Sequence, residues 1–432
     1  MRITLSLLRI VVAGCCIFIG IAETSLSAQV ALFEQEIQVN ANTASSQLQS
    51  SCTISPDGNS VVVWQSNHVK DDVDYGSIYG QRFDNDGQRI GGEFLVNTQT
   101  KAIQRIPIVD SDRSGNFVVV WMTIGRNVVP GIYAQRFDRN GIKLGGEFQI
   151  SDAVVDQSTG EYIVDIQLAV SPNGRFVVGW QSSRRNLYFQ LYDGNGDALS
   201  NVEQVGKSLK FIDQGFDIDI NSEDDLILGF TGILDVGGNT LDGVFVSKHP
   251  RGNISQSQVT YIDSMPGYNY RFRPNRDPRV SINDSGRFVI TWNSILLKVV
   301  GARAKHDVFA KYCSLDGATI RETFRVNTND RILQNQQDVA INDNGEIVFT
   351  WINEFKDGIS ENVYMRLYDS SGSHITDEIL VNSYTNGRQE QPAISVTDSK
   401  IIISWNTIHV LKSEKMPNDL DSTGIYFLLY SY

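Results

Sequence analysis

Short apolar runs that end in an aromatic residue recur along the chain. Six of them hold all six tryptophans: SVVVW (60–64), FVVVW (117–121), FVVGW (176–180), FVITW (288–292), IVFTW (347–351) and IIISW (401–405). A seventh run, LILGF (226–230), has Phe230 in place of the tryptophan. Such continuous runs are typical of strands covered on both faces. Their spacing indicates an internal repeat of about 57 residues.

Each repeat contains three further segments that are typical of strands. One precedes the apolar run and alternates apolar and polar residues, one resembles IYAQRF (132–137), and the last resembles EFLVN (93–97). Turn sequences such as SPDGN (55–59) and DNDG (84–87) separate them, and their Asn, Asp and Gly residues favour tight hairpins. With no helical periodicity, each repeat is predicted to be a four-stranded antiparallel sheet.

The two ends of the chain complement each other. The last repeat ends after IYFLLY (425–430) and lacks its fourth strand, whereas EIQVN (36–40) is a fourth strand with no repeat before it. Pairing the two segments completes seven equal units and leaves no open sheet edge. The sequence therefore predicts an all-β fold, a seven-bladed β-propeller with four antiparallel strands per blade, closed by residues 36–40. Eight blades and an open solenoid are the alternatives.

The repeat also resembles a family of exported bacterial β-propeller repeat proteins, whose units read roughly FVVVW…IYAQRFD…GGEFQVNT. Residues 117–121, 132–138 and 145–150 carry the resemblance. It extends over the chain beyond the first 28 residues and is weakest around 201–275. It implies a propeller fold and export, and it implies no particular chemistry.

The first 28 residues have the layout of a cleavable secretory signal. Arg2 and Arg9 precede an apolar stretch at 10–21, and small residues follow at 25–28. We therefore expect a signal peptide at 1–28 and an exported propeller domain at 29–432. Alternatively, residues 12–15 resemble a bacterial lipobox, with lipid on Cys15. The apolar stretch is too short to span a bilayer, so we expect no membrane span after cleavage.

The net charge of −13 argues against nucleic acid as a partner, because phosphates are bound by Lys and Arg. We expect a monomer whose partner is an extracellular glycan or protein. Cys52 and Cys313 belong to repeats four blades apart, so we expect no disulfide between them. No cofactor is predicted.

The long, variable loops between second and third strands and between repeats favour one face as the binding face. The richest of these segments combines aromatic rings, which stack on sugars, with guanidinium groups, which clamp carboxylates. It predicts a site for an acidic glycan or peptide; the alternative is a loop folded over a blade edge. The candidate ligand-binding residues are Tyr268, Tyr270, Arg271, Phe272, Arg273 and Arg276.

Acidic residues recur where the first strands begin. Asp165, Asp277 and Glu390 lie fifteen residues before the aromatic anchors of their repeats, and Asp217 and Asp338 lie thirteen before theirs. Even spacing places them on one side of each strand, so innermost first strands would ring a channel mouth with carboxylates. Such a ring suits a structural cation such as calcium or an acid/base pair. Solvation of strand edges is the alternative.

These patterns favour a non-enzymatic exported binding propeller that uses its long-loop face. The alternative is a carbohydrate-active hydrolase or lyase that uses the channel-mouth carboxylates. The chain lacks HExxH, GxSxG, P-loop and GxGxxG motifs, but propeller enzymes assemble sites from scattered loops.

Overall fold

The computed structural model describes residues 36–41, 43, 46–70, 73–125, 128–152, 154–156, 160–206, 209–236, 239–252, 258–264, 277–296, 305–329, 333–355, 360–385, 387–409 and 423–431. The chain divides into two compact parts, Met1–Ala31 and Leu32–Tyr432, and all described residues belong to the second part. In the following description, a unit is one set of four strands that corresponds to one sequence repeat. The predicted signal at 1–28 therefore lies outside the described residues. Within the described ranges the structure has 29 strands and one short 3₁₀ helix, Pro250–Gly252, which confirms the all-β class. No helix of these ranges could cross a membrane.

Four sheets have four antiparallel strands each, in chain order. Unit 1 consists of β2 (Gln47–Ile54), β3 (Ser60–Lys70), β4 (Val73–Phe83) and β5 (Arg89–Leu95). Unit 2 consists of β6 (Ile103–Ser111), β7 (Phe117–Ile124), β8 (Gly131–Phe137) and β9 (Phe148–Asp152). Unit 4 consists of β15 (Leu209–Ile220), β16 (Leu226–Val236), β17 (Asn239–His249) and β18 (Gln258–Ser264). Unit 5 consists of β19 (Arg279–Ile282), β20 (Arg287–Leu296), β21 (Lys305–Ser314) and β22 (Thr319–Arg325).

Two larger sheets contain the other strands. Unit 3, in a five-stranded sheet, consists of β11 (Glu161–Val170), β12 (Phe176–Ser182), β13 (Leu187–Tyr192) and β14 (Glu203–Val205), with β10 (Val154–Asp156) at its edge. The eight-stranded sheet contains unit 6, which is β23 (Leu333–Ile341), β24 (Ile347–Glu354), β25 (Glu361–Tyr368) and β26 (Ile379–Leu380). It also contains unit 7, which is β27 (Gly387–Val396), β28 (Lys400–His409), β29 (Thr423–Ser431) and β1 (Ile37–Gln38). A single parallel pair, Glu361↔Arg388, joins these two units.

The segment at 36–40 lies beside the last strand, as the sequence predicts. Strand β1 pairs antiparallel with β29 through Ile37↔Phe427 and Gln38↔Tyr426. The bonding continues beyond the strand, since the amide of Val39 donates to the carbonyl of Ile425 at 2.7 Å. The fourth strand of unit 7 thus comes from the opposite end of the chain.

The aromatic anchors form the core between units. All six tryptophans are at most 1% exposed, and Phe230 is fully buried. Each anchor stacks on an aromatic ring of the third strand, with ring centroids 5.8 to 6.5 Å apart, as in Trp121 on Tyr133. Apolar clusters span neighbouring units, and one joins Phe427 of unit 7 to Trp64 of unit 1. The interpretation of the anchors as core residues is confirmed.

The asparagine of the fourth-strand motif is a buried hydrogen-bond acceptor. In units 1, 5, 6 and 7 its Oδ1 accepts a buried amide near the start of the third strand, at 2.7 to 2.8 Å. These residues are Asn97, Asn327, Asn382 and Asn40, all at most 2% exposed. Because an unpaired buried amide is costly, the asparagine fixes the fourth strand on the third.

The glutamate of the same motif links neighbouring units. Glu147 of unit 2 accepts the amide of Thr98, which follows the asparagine of unit 1, at 2.5 Å. Equivalent bonds run from Thr328 to Glu378, from Ser383 to Glu36 at 2.6 Å, and from Ala41 to Glu93. The last two bonds join residues near the start of the described chain to units 6 and 1.

Candidate functional site

The first strands of all seven units line one cavity of about 720 Å³. Four of the predicted acids, Asp165, Asp217, Asp277 and Asp338, belong to its wall. The wall also contains other charged side chains that were not predicted from the sequence, among them Asp110, Asp219 and Arg279. These seven side chains are half-buried, because they lie deep in the protein and still meet the cavity.

The assignment of Glu390 to this ring is wrong. Glu390 does not line the cavity; its carboxylate pairs with Arg388 at 2.7 Å. The last pair of the first hairpin in unit 7, Val396↔Ile401, encloses four residues, whereas the same hairpin in unit 1 encloses five. Counting back from Trp405 therefore shifts the register by one residue, and a shift of one moves a side chain to the other face of a strand.

Four of the acids in the cavity wall have a structural task. A first strand is the inner edge of its sheet, so its outward amides need partners from outside the sheet. The carboxylates of the preceding unit accept these amides: Asp110 from Val170 at 2.7 Å, Asp217 from Val280 at 2.9 Å, Asp219 from Ile282 at 2.8 Å and Asp338 from Ile394 at 3.0 Å. These four acids therefore stabilise the contacts between units.

Asp165 and Asp277 differ from these four acids. In the described part of the chain, Asp165 accepts only the adjacent amide of Ile166, at 2.9 Å, and nothing donates to the Asp277 carboxylate. Asp277 lies against unit 4, since a Cβ added to Gly215 would be 2.4 Å from its Oδ1. Gly215 has a φ of +87°, so glycine suits both its backbone conformation and this close contact. Both carboxylates retain acceptor capacity toward the cavity.

Arg279 contributes a positive charge to the cavity wall, beside the acids of the first strands. One of its five N–H donors reaches the carbonyl of Phe216 at 3.4 Å, and no described carboxylate lies within ion-pair distance of it. Burial by itself would lower the pKa of Arg279, but Asp277, Asp217, Asp338 and Asp165 together raise it above the ordinary value. The guanidinium is therefore a permanent cation with donors still available.

The cavity raises the pKa of its carboxyl groups. Burial, with a smaller contribution from Asp277, raises the pKa of Asp165 to about 6, against the opposing effect of Arg279. Burial likewise raises the pKa of Asp217 to about 8 and that of Asp219 to about 7. Some of these carboxyl groups hold a proton near neutral pH, so the wall offers hydrogen-bond donors as well as acceptors.

One end of the cavity is crossed by an ion pair. Arg113, in the first hairpin of unit 2, reaches Asp284 of unit 5 at 2.6 Å and Asp343 of unit 6 at 3.4 Å. All three residues belong to the cavity wall and to turns between first and second strands. We call this the turn end of the cavity.

The opposite end is formed by bulges in the first strands. Gln49, Ile106, Gln336 and Gln391 have left-handed backbones, with φ between 49° and 55°, where the pairing with the second strand shifts. The side chain of Gln49 accepts the amide of Ile106 at 3.0 Å, and that of Gln336 accepts the amide of Gln391 at 2.5 Å. We call this the bulge end. Asp165 and Asp277 lie fifteen residues before their anchors, as do Gln49, Ile106 and Gln336.

The predicted ligand-binding loop, which contains Tyr268, Tyr270, Arg271, Phe272, Arg273 and Arg276, lies outside the described residues and stays a prediction. In the part of the chain that is described, no three His, Cys, Asp or Glu side chains are arranged to hold a metal ion. Cys52 and Cys313 are both free and buried.

No family model and no curated protein matches the chain. Similar solved structures include the polysaccharide lyase Uly1, with a TM-score of 0.54 and 9% identity over 93% of this chain and 100% of that one. An alpha-L-arabinanase of Penicillium chrysogenum in complex with arabinobiose has a TM-score of 0.50 and 9% identity over 92% and 99%. A protein of unknown function from Dyadobacter fermentans has a TM-score of 0.50 and 10% identity over 93% and 99%. At these identities the likeness concerns the fold alone, and it supports a β-propeller.

Proposed function

We propose that this chain is an exported seven-bladed β-propeller that binds a glycan in its central cavity without transforming it. The ring of seven blades is supported by the seven first strands that line one cavity and by the β1–β29 pairing. It is also supported by the bond of Glu36 to Ser383 in unit 6 and by the bond of Ala41 to Glu93 in unit 1. Export rests on the signal-like residues 1–28 and on the resemblance of the repeats.

We infer glycan binding because some polar side chains of the cavity are already hydrogen-bonded to the protein and others are available to a ligand. Asp110, Asp217, Asp219 and Asp338 accept backbone amides, whereas Asp165, Asp277 and Arg279 keep acceptors and donors for a ligand. A sugar hydroxyl both donates and accepts hydrogen bonds, so it suits this mixture. The volume of about 720 Å³ lies within the range of small-molecule sites, about 300 to 1,000 Å³.

The charge of the cavity narrows the class of glycan. Ten aspartates and two arginines line it, so another anion would meet net repulsion. We therefore propose a neutral sugar or an amino sugar as the ligand in the cavity. The acidic glycan predicted for the loop that contains Arg273 would belong to a separate site.

A glycan array followed by calorimetry on residues 29–432 tests the proposal. Asp277→Asn removes a charged acceptor, whose hydrogen bond is worth about 1.5 to 3 kcal/mol, so we expect at least tenfold weaker binding. Asp219→Asn is the matched control, because Asp219 already accepts the amides of Ile220 and Ile282. It is expected to lower stability and to change affinity less than about threefold. No ligand on the array, or equal affinity losses in both variants, would contradict the proposal.

A second candidate is glycoside hydrolysis, which the raised pKa values favour. A carboxyl group with a pKa of about 6, as for Asp165, suits a general acid beside an ionised partner. Arabino-oligosaccharides, which resemble the sugar bound to the Penicillium arabinanase, are the first probes. Product release that Asp165→Asn abolishes while binding persists would favour hydrolysis over binding alone.

A further inference from the structure

We infer that the cavity takes the end of a glycan chain and excludes internal stretches of it, an inference that rests on the proposed function. It starts from the turn end. Arg113 belongs to unit 2 and its partners Asp284 and Asp343 to units 5 and 6, three and four units further along the chain. A side chain that joins turns so far apart in a ring crosses the axis of the cavity.

The turns at that end are also tied to one another. Asn221, Asn283 and Asn342 each occupy the first position of such a turn. The Nδ2 group of Asn221 donates to the carbonyl of Asn283 at 3.3 Å, and that of Asn283 donates to the carbonyl of Asn342 at 3.0 Å. Asp284 accepts the amide of Ser222 at 2.8 Å in addition to its bond with Arg113. These hydrogen bonds hold successive turns close together, so the turn end is narrow and is also crossed by the Arg113 ion pairs.

The groups available to a ligand lie away from this end. Arg279 is the first residue of β19 and Asp284 lies in the turn after its last residue, Ile282, so about 10 Å of strand separates Arg279 from that turn. Among the described residues, no ion pair crosses the bulge end beside Asp165 and Asp277. A glycan that enters there meets Asp165 and Asp277 first, then Arg279, and the Arg113 bridge at the bottom. A polymer cannot run through such a cavity, whereas a chain end fits into it.

Titration of arabino-oligosaccharides of two to eight residues and of long linear arabinan, together with maltohexaose and cyclic α-cyclodextrin, tests the inference. For the sugar that binds, we expect the Kd, expressed per mole of glycan chains, to be the same for all oligosaccharides that are longer than the cavity is deep. If the gluco-sugar binds, the cyclic form is expected to bind at least tenfold more weakly than the linear one. Affinity that rises in proportion to chain length, or equal affinity for cyclic and linear forms, would overturn the inference and leave glycan binding intact. No binding of these probes or of any glycan on the array would overturn the proposed function instead.

Discussion

The seam between β1 and β29 can be tested by deleting one hydrogen-bond acceptor. Asn40 accepts the buried amide of Ile425 at 2.8 Å, and Asn97 accepts that of Ile78 at 2.7 Å in unit 1, where both strands come from one repeat. Substitution by alanine leaves the amide buried without a partner, at a cost of about 1 to 3 kcal/mol. If β1 is docked as the structure shows, Asn40→Ala and Asn97→Ala should lower the free energy of unfolding by similar amounts.

Urea unfolding of residues 29–432, followed by tryptophan fluorescence, measures both losses under the same conditions. Similar losses with unchanged slopes are the expected result. A loss below about 0.3 kcal/mol for Asn40→Ala, beside the full loss for Asn97→Ala, would show that the first segment does not complete unit 7. The argument for a closed ring would then fail, although the individual sheets would remain.

Three further predictions concern the interior. The pKa of Asp217 in the folded protein, about 8, lies above its value in the unfolded chain. Its stabilising contribution is therefore complete below about pH 4 and is lost as the pH rises through 8. Urea titrations should show greater stability at pH 5.5 than at pH 8.5, and the reverse order would contradict a raised pKa for Asp217. The Cys52 thiol, whose pKa burial raises to about 12, should react with a thiol reagent only after denaturation, and rapid labelling of the native protein would contradict its burial. Gly215→Ala should strain the backbone and displace Asp277, weakening glycan binding in calorimetry, whereas Gly91→Ala, with φ +71° and no atom within 4 Å of the added Cβ, should cost stability without affecting binding.

The strands and the core could be predicted because their signal is local and repeated. The run ending in Trp121 and the segment containing Tyr133 identify neighbouring strands, and their rings stack in the structure. The role of Glu147 could not be predicted in the same way, because its partner Thr98 belongs to another unit. The sequence shows only that a glutamate recurs at one position of the fourth-strand motif. Its role in linking neighbouring units becomes clear from the packing of those units.

The cavity was predicted in part. Four of the five predicted acids line it, but a pattern of acids does not include Arg279, which lies thirteen residues before Trp292 just as Asp217 lies thirteen before Phe230. The wrong assignment of Glu390 to the cavity could have been recognised from the sequence, since the turn TDSK (397–400) lacks the glycine of most equivalent turns. Which acids are engaged with backbone amides depends on the neighbouring unit, so the sequence of one repeat cannot separate Asp217 from Asp277.

The direction of β1 beside β29 also determines how the protein responds to force. Because Ile37 pairs with Phe427 and Gln38 with Tyr426, the segment that precedes Ile37 and the segment that follows Phe427 leave the seam at the same end of the sheet. Tension between these two segments loads the Ile37 pair first and the following pairs one after another, as in a zipper. Such a joint yields at lower force than one in which all bonds are sheared together. A tether on one segment leaves the seam unloaded, whereas tethers on both would peel β1 away while every other sheet stays folded.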